Sequence, residues 1–294
     1  MPKKIKIAVV GIGLMGLQHI KAINKSHLAS LHSIVEIKKT KINFSKKFKV
    51  PIYKNIKFLL NQSKPDAVII ATPNFSHEKD AIQFLKLKIP VLLEKPISVN
   101  IKSAKKIIHC AKLNKTPLLI GYHRRHNSIV NTVKKIISNK KLGKIVSVNV
   151  LCWFFKHDKY FNEKWRVSNG GGPLGINLVH DLDMICYFLG KIKYVHAFKS
   201  NNVRNFKVED TATVNLFFKS GVLCTLNVSD TIVSPWSYEL TAGENPAYPL
   251  TDQSSYFIGG TNGSVQFPNL KIWYYKKERS WWNSIYSNKI KVQK

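Results

Sequence analysis

The sequence predicts an α/β protein in two parts: a doubly wound parallel sheet, then an α+β domain with an open, largely antiparallel sheet. Three observations carry this reading. Through the first 122 residues, short apolar runs alternate with amphipathic stretches, as strands and helices do around a parallel sheet covered on both faces. A glycine-patterned turn links the first run to the first amphipathic stretch. Beyond residue 123 the pattern changes to longer β-rich segments. A chain of 294 residues suits two ordinary domains, expected at 1–122 and 123–294.

Residues 5–10 are apolar and partly β-branched, the mark of a buried parallel strand. They run into Gly11-Ile12-Gly13-Leu14-Met15-Gly16 and an amphipathic stretch over 17–24. Between a strand and a helix, each glycine of this G-x-G-x-x-G has a physical task. Gly11 permits the tight turn, Gly13 lets the backbone approach a pyrophosphate, and Gly16 lets the helix close on the strand. The helix start, with Leu14 and Met15, would offer free N–H groups to the phosphates of a dinucleotide. This is the pattern of a Rossmann domain.

A second strand is expected over 31–37, which places Glu36 20 residues after Gly16. A carboxylate there can accept the ribose hydroxyls of adenosine and repels a 2′-phosphate. NAD is the favoured cofactor, with NADP left open by Lys38 and Lys39. Further strands are expected over 66–71, 91–94 and 118–122, with helices over 76–88 and 98–114, the latter capped by Ser98. The strand ends carry Ala71-Thr72-Pro73, Glu94-Lys95-Pro96 and Gly121-Tyr122, on the rim where such a sheet binds its ligand. In the second part, strands are expected over 145–155, 194–199, 211–218 and 222–228. Lys219-Ser220-Gly221 makes a hairpin between the last two. A helix over 174–189, stopped by Gly190, interrupts them.

Composition excludes several classes. The formal charge is +31, from 47 basic and 16 acidic residues, which would draw any polyanion to the surface. Arginine occurs only at 124, 125, 166, 204 and 279, while lysine is scattered through every segment. A shaped nucleic-acid groove favours arginine and clustering, so the surplus reads as compositional drift and no nucleic-acid partner is expected. The densest stretch, 38–49, is expected as a solvated loop and helix face. No apolar run approaches the about 20 residues of a membrane span. The basic, apolar start passes straight into the glycine turn and a helix, so it reads as a strand rather than a secretion signal. Cys110, Cys152, Cys186 and Cys224 lie far apart, so neither disulfides nor a metal site is expected and a reducing cytoplasm is the natural compartment.

Five motifs occur in order: GIGLMG at 11–16, ATPNFSH at 71–77, EKPIS at 94–98, GYHRR at 121–125 and GGGPLGINLVHDLD at 170–183. Together they resemble the Gfo/Idh/MocA oxidoreductases, named for glucose–fructose oxidoreductase, inositol dehydrogenase and a rhizopine catabolism protein. SDTIVSPW, GENPAYP and GGTNGSVQFP extend the likeness to nearly the whole chain. The resemblance implies hydride transfer between a nicotinamide and a hydroxyl-bearing carbon of a sugar or polyol. His180 matches the family's general base, and Lys95 the lysine that polarises the reacting oxygen. Thr72, Pro73, His77, Glu94 and Lys95 fall on the cofactor side, with the Lys95–Pro96 bond a candidate for cis. Tyr122, Arg124, Lys156, Tyr160, Trp165, Arg166, Asn177 and Asp183 fall on the substrate side. The basic balance and Arg166 favour an acidic substrate such as a uronate.

Two departures from the family stand out. Many members carry an Asp four residues before the base; here that position is Ile176, and Asp183 or Asn177 is expected to take over. Relatives also continue for several dozen residues, so the chain is expected to be C-terminally shortened, leaving Trp281, Trp282 and Tyr286 uncovered. The alternative reading is therefore a catalytically impaired nucleotide-binding relative. By resemblance, homo-oligomers are expected through the outer face of the second sheet.

Overall fold

The computed structural model describes residues 3–37, 48–168 and 170–292. Lys38 and Lys39, and most of the lysine-rich stretch 38–49, lie outside the described residues. The chain divides into two compact units, Met1–Tyr122 and His123–Lys294.

Among the described residues of the first unit, six strands pair in parallel in the order β3-β2-β1-β4-β5-β6. They are β1 (Ile5–Val10), β2 (Ala29–Val35), β3 (Ile52–Tyr53), β4 (Ala67–Ile70), β5 (Val91–Leu93) and β6 (Leu118–Ile120). The helices are α1 (Leu14–Lys25), α2 (Ile56–Gln62), α3 (His77–Lys86) and α4 (Ile101–Leu113). The order reverses at β1, which makes the sheet doubly wound. Its continuous apolar runs follow from burial on both faces. Ala8 and Val10 join one core with Phe84, Leu85 and Ile107, whereas Val9 joins another with Ile12, Ile20 and Ile23. Strand alternation sends consecutive side chains to opposite layers, and both layers are apolar.

β3 and α2 escaped the sequence reading because a two-residue strand has no readable period. Asn55 caps α2, its side chain accepting from the Phe58 N–H at 3.0 Å. The expected Ser98 cap is corrected: α4 starts later, and Asn100 accepts from the Ser103 N–H at 2.8 Å. An Asn amide oxygen serves an N-cap as well as a Ser hydroxyl does.

In the second unit, eight strands order as β14-β13-β12-β11-β7-β10-β9-β8 among the described residues. They are β7 (Ile145–Trp153), β8 (Ile192–Ser200), β9 (Thr211–Phe218), β10 (Leu223–Ser229), β11 (Tyr256–Gly260), β12 (Ser264–Phe267), β13 (Lys271–Tyr274) and β14 (Tyr286–Lys289). Only β7 and β10 pair in parallel. One face is covered by α5 (Ser128–Ser138) and α6 (Val179–Leu189). Val130, Val133, Met184 and Ile185 from these helices meet Val148, Val150, Leu216 and Leu226 of the strands. The opposite face leaves Val146, Tyr194, Phe198, Leu223 and Phe257 exposed. The expected helix over 174–189 is refined: residues Leu174–Leu178 form a π-helical turn before α6 begins. Gly190, at φ 90°, ends α6 as expected. Trp281 and Trp282 are 85% and 84% exposed. No described helix is long and apolar enough to cross a membrane.

A buried ion cluster fastens α6. Arg124 donates to Asp181 at 3.0 Å and to Glu239 at 2.7 Å, with its guanidinium 4.2 Å from the centre of the Tyr238 ring. The Tyr256 hydroxyl also donates to Asp181. Asp181 is fully buried, and burial pushes its carboxyl up to about 6 against the pull of Arg124. Removing one partner from such a cluster strands the others in a medium that cannot solvate them. Arg124→Met is therefore expected to cost roughly 3–5 kcal/mol of stability in urea unfolding; a loss under about 1 kcal/mol would mean that the carboxylates simply take up protons.

Candidate functional site

In the first unit, the glycine turn follows from close approach. Gly11 sits at φ 87°, and a Cβ there would lie 2.8 Å from the Ala71 carbonyl oxygen. A Cβ at Gly16 would run into the Gly11 carbonyl. Gly13 is different, because a Cβ there would meet nothing within 4 Å. Packing does not demand that glycine, which leaves backbone approach by a ligand as its use. Gly13 is also the N-cap of α1, where no side chain bonds the helix start, and Leu14 and Met15 beside it are exposed. Glu36 is buried at the end of β2, and its carboxylate accepts from the Ile12 N–H at 3.0 Å. The residue expected to meet the ribose thus also ties down the turn.

The rim after β4 and β5 is braced by side chains. Thr72 donates to Asp80 at 2.9 Å and accepts from Ser76 at 2.8 Å, while Pro73 opens the short 3-10 turn Asn74–Ser76. His77, expected to contact the cofactor side, is fully buried instead. Its ring nitrogens lie 2.9 Å from the Pro96 carbonyl and 3.0 Å from the Thr72 carbonyl. It straps two rim loops together, and a neutral ring can donate to only one of them at a time. Glu94 lies 2.7 Å from the His19 ring and accepts from the Lys95 N–H at 3.2 Å. Burial pushes the Glu94 carboxyl up, but His19 and the Lys95 amide outweigh it and hold it below the usual range. The Lys95–Pro96 bond is cis, and Lys95 and Tyr122 are half-buried at the strand ends. His19 carried no sequence signal beyond its place on the first helix.

In the second unit, the π-helical turn and α6 carry the residues singled out by the resemblance. Asn177 and His180 are three apart, which places them on one helix face. Asn177 accepts from Lys156 at 3.0 Å, so these two expected contacts do come together. Lys156 also lies 3.5 Å from Asp230, which Arg204 holds at 2.8 Å. Burial lowers the Lys156 ammonium below the ordinary lysine range, outweighing the pull of Asp230. The Tyr160 ring carries Lys156 at 4.8 Å and Arg166 at 4.1 Å from its centre. Arg166 donates to the Tyr160 carbonyl at 2.6 Å and lies 5.4 Å from the exposed Trp165 ring.

Two expectations are corrected. Arg124 is buried inside the Asp181–Glu239 cluster, where its fork is already occupied, so it supports the fold rather than a substrate. Asp183 does not take over from Ile176, because Arg125 grips it through both nitrogens, at 2.7 and 2.5 Å. The His123 ring meets the His180 ring edge to face. His123 and Glu244 lie inside the motifs GYHRR and GENPAYP, yet only folding shows them side by side. Among the described residues, no group of three or more His, Cys, Asp or Glu side chains could hold a metal ion.

Comparison with known proteins adds the lineage. Residues 5–122 match the model described as "Oxidoreductase family, NAD-binding Rossmann fold", and residues 130–266 match the "GFO/IDH/MocA C-terminal domain". Glucose-6-phosphate 3-dehydrogenase of Bacillus subtilis is 28% identical over 71% of this chain and 61% of its own. Inositol 2-dehydrogenase 1 of Paenarthrobacter aurescens is 26% identical over 65% of this chain and 56% of its own. The match thus spans less than two thirds of either relative. The WlbA dehydrogenase of Bordetella pertussis, solved with NADH and UDP-GlcNAcA, shares the fold at a TM-score of 0.77. Its identity is 22%, over 90% of this chain and 78% of that one. With both halves matched by the two models, the chain belongs to the Gfo/Idh/MocA oxidoreductase family.

Proposed function

We propose that this chain is an NAD-dependent oxidoreductase that moves a hydride between the nicotinamide and a hydroxyl- or carbonyl-bearing carbon of a sugar- or polyol-type substrate. The observation that carries it is the open approach at Gly13, ahead of an uncapped helix start, in a chain of this family. Residues 1–122 would bind the dinucleotide, and residues 123–294 the substrate. The Gly13-Leu14-Met15 backbone would hold the pyrophosphate and Glu36 the adenosine ribose, with Thr72, Pro73 and Glu94 on the rim. Bound NAD supplies the hydride acceptor. His180 takes the proton of the reacting hydroxyl, and Lys95 donates to the oxygen as charge develops on it. The free cysteines, three of them buried, fit a cytoplasmic setting. The exposed apolar residues on the outer face of the second sheet support a homo-oligomer.

The substrate class is narrowed by Arg166. Among the described residues no carboxylate lies within ion-pair distance of it, while Lys156 shares its aromatic platform. That surplus of positive charge suits a substrate with an acid group, such as a uronate.

Gly13→Val is expected to keep the fold and abolish NAD binding in calorimetric titration, since the new side chain meets open space rather than protein. No binding by the folded wild-type chain would reject the cofactor assignment. His180→Gln should lower the rate of NAD reduction by about 10²–10⁴-fold with NAD affinity retained. An unchanged rate would remove His180 as the base, and NAD binding without turnover of any sugar, polyol or sugar acid would leave a nucleotide-binding relative that lacks catalysis. Arg166→Gln should raise KM for a uronate roughly 10- to 100-fold while leaving KM for a neutral polyol unchanged, as loss of a charge-assisted contact would. Equal effects on both substrates would reject the acid-binding role.

A further inference from the structure

The outer face of the second sheet is polar toward β14, and the strand pattern explains why. Tyr256, Ile258, Val265 and Phe267 turn into the core, so Phe257 and Gln266 turn outward. Cross-strand pairing sets Phe257 beside Gln266, Gln266 beside Lys271, and Lys271 beside Lys289. This row lines a cavity of about 340 Å³, completed by Trp236, residues 252–254 and Asn269. β7 holds Trp236 in place: the Trp153 N–H donates to its carbonyl at 3.0 Å, and the two rings are 5.9 Å apart.

Elsewhere on this face the polar side chains satisfy one another. Thr225 donates to Asn149, Trp153 to Asn227 and Asn227 to Thr213, while Thr211 and Ser229 share a bond. In the cavity they do not. Among the described residues, no hydrogen bond engages the side-chain amides of Gln253, Gln266 and Asn269. Ser254 is 6% exposed, and its hydroxyl has no partner among the described residues. The charged groups, by contrast, are occupied. Lys289 lies 3.6 Å from Asp252, and Lys271 lies 4.3 Å from the centre of the Trp273 ring. What remains to bind is neutral: three amides, a hydroxyl and the partly exposed rings of Trp236 and Phe257.

The volume falls in the range of about 300–1,000 Å³ found for small-molecule sites. An apolar ligand would bury the amides without partners. A pyranose suits them, because its hydroxyls both donate and accept, as amides do, and its C–H face stacks on an indole.

We propose that this cavity binds a neutral pyranose unit, at a site apart from His180. The sheet stands between the cavity and α6, which covers the inner face, so neither the binding nor its test depends on the function proposed above. The exposed Tyr194, Phe198 and Leu223 lie on β8 and β10, toward the other end of the face.

The purified full chain, without NAD, is titrated with the methyl glycosides of glucose, galactose and mannose, and the indole signals are followed in ¹H–¹⁵N spectra. At least one glycoside should shift the Trp236 signal saturably, with a Kd of roughly 0.1–10 mM. Trp236→Ala and Gln266→Ala should each weaken that binding about tenfold or more, as loss of a stacked ring or a hydrogen bond would. No shift with any of them up to about 100 mM overturns the proposal. So does binding that survives both substitutions, which would belong to another site. Gln266→Ala alters an outward-facing side chain and decides the matter if Trp236→Ala fails to fold. Inorganic phosphate is the control for charge: if it displaces the glycoside at equal concentration, the lysines make the site and the neutral class is wrong. Sedimentation of the same samples tests a further occupant. If Trp236→Ala splits a dimer and no glycoside binds, a second copy fills the cavity and the proposal fails.

Discussion

The second unit turns on the burial of Asp181. A carboxylate with no exposed surface is tolerable only where a cation and further donors meet it, and Arg124, Tyr256 and the neighbouring Glu239 make up that setting. Once Asp181 points inward, α6 has no freedom to rotate about its axis. His180 and Asp183, on either side of Asp181, must leave the core at fixed angles, and Asn177 follows one turn earlier. The cluster therefore sets register as well as holding the helix. Its geometry comes from four separate chain segments: the 3-10 turn His123–His126, α6, the helix Tyr238–Thr241 and the start of β11.

The first unit solves its positioning problem with backbone instead of buried charge. Gly11 and Gly16 allow a turn that other residues would block, and the cradle at Gly13 follows from the position those two impose. The rim loops would still be free to splay, but His77 is packed between them, its ring nitrogens within reach of the Pro96 and Thr72 carbonyls and a neutral ring donating to one of the two. Glu94 is held by His19 from α1, so the helix that would bind phosphate also fixes the strand end that carries Lys95. Each side chain that would face a ligand is thus supported by one that cannot, which is how a site keeps its geometry before anything binds.

Much of this was legible because the relevant signals are local. Strand–glycine–helix spacing, alternating apolar runs and the hairpin glycine each act within a few residues, and five of the six strands of the parallel sheet and the β9–β10 pair follow from them. The failures share a different cause. Arg124 reads as a substrate contact and Asp183 as an orienting group until their partners, 57 and 58 residues away in sequence, become visible. His123 and Glu244 were quoted within motifs, but no spacing rule joins residues 123 and 244. Ion pairs and ring contacts between distant segments depend on the finished fold, and a sequence of this composition offers too many lysines and histidines for any one to stand out.

The charge surplus takes on a physical meaning in this light. All five arginines donate hydrogen bonds, three of them to carboxylates and two to carbonyl oxygens. Several lysines instead occupy positions that ask nothing of their charge. Two residues beyond the ends of three helices, α3, α4 and α5, stand Lys88, Lys115 and Lys140 at φ 58°, 51° and 54°. At each end the paired N–H bonds run back to the last helical turn, as from Lys88 to Leu85 and from Ile89 to Phe84. Glycine fits that left-handed position best, and a side chain there costs roughly 1 kcal/mol. Lysine has entered sites where local physics prefers another residue, while arginine stays where a planar fork has a partner to grip. That division is what compositional drift limited by stability would leave at these helix ends.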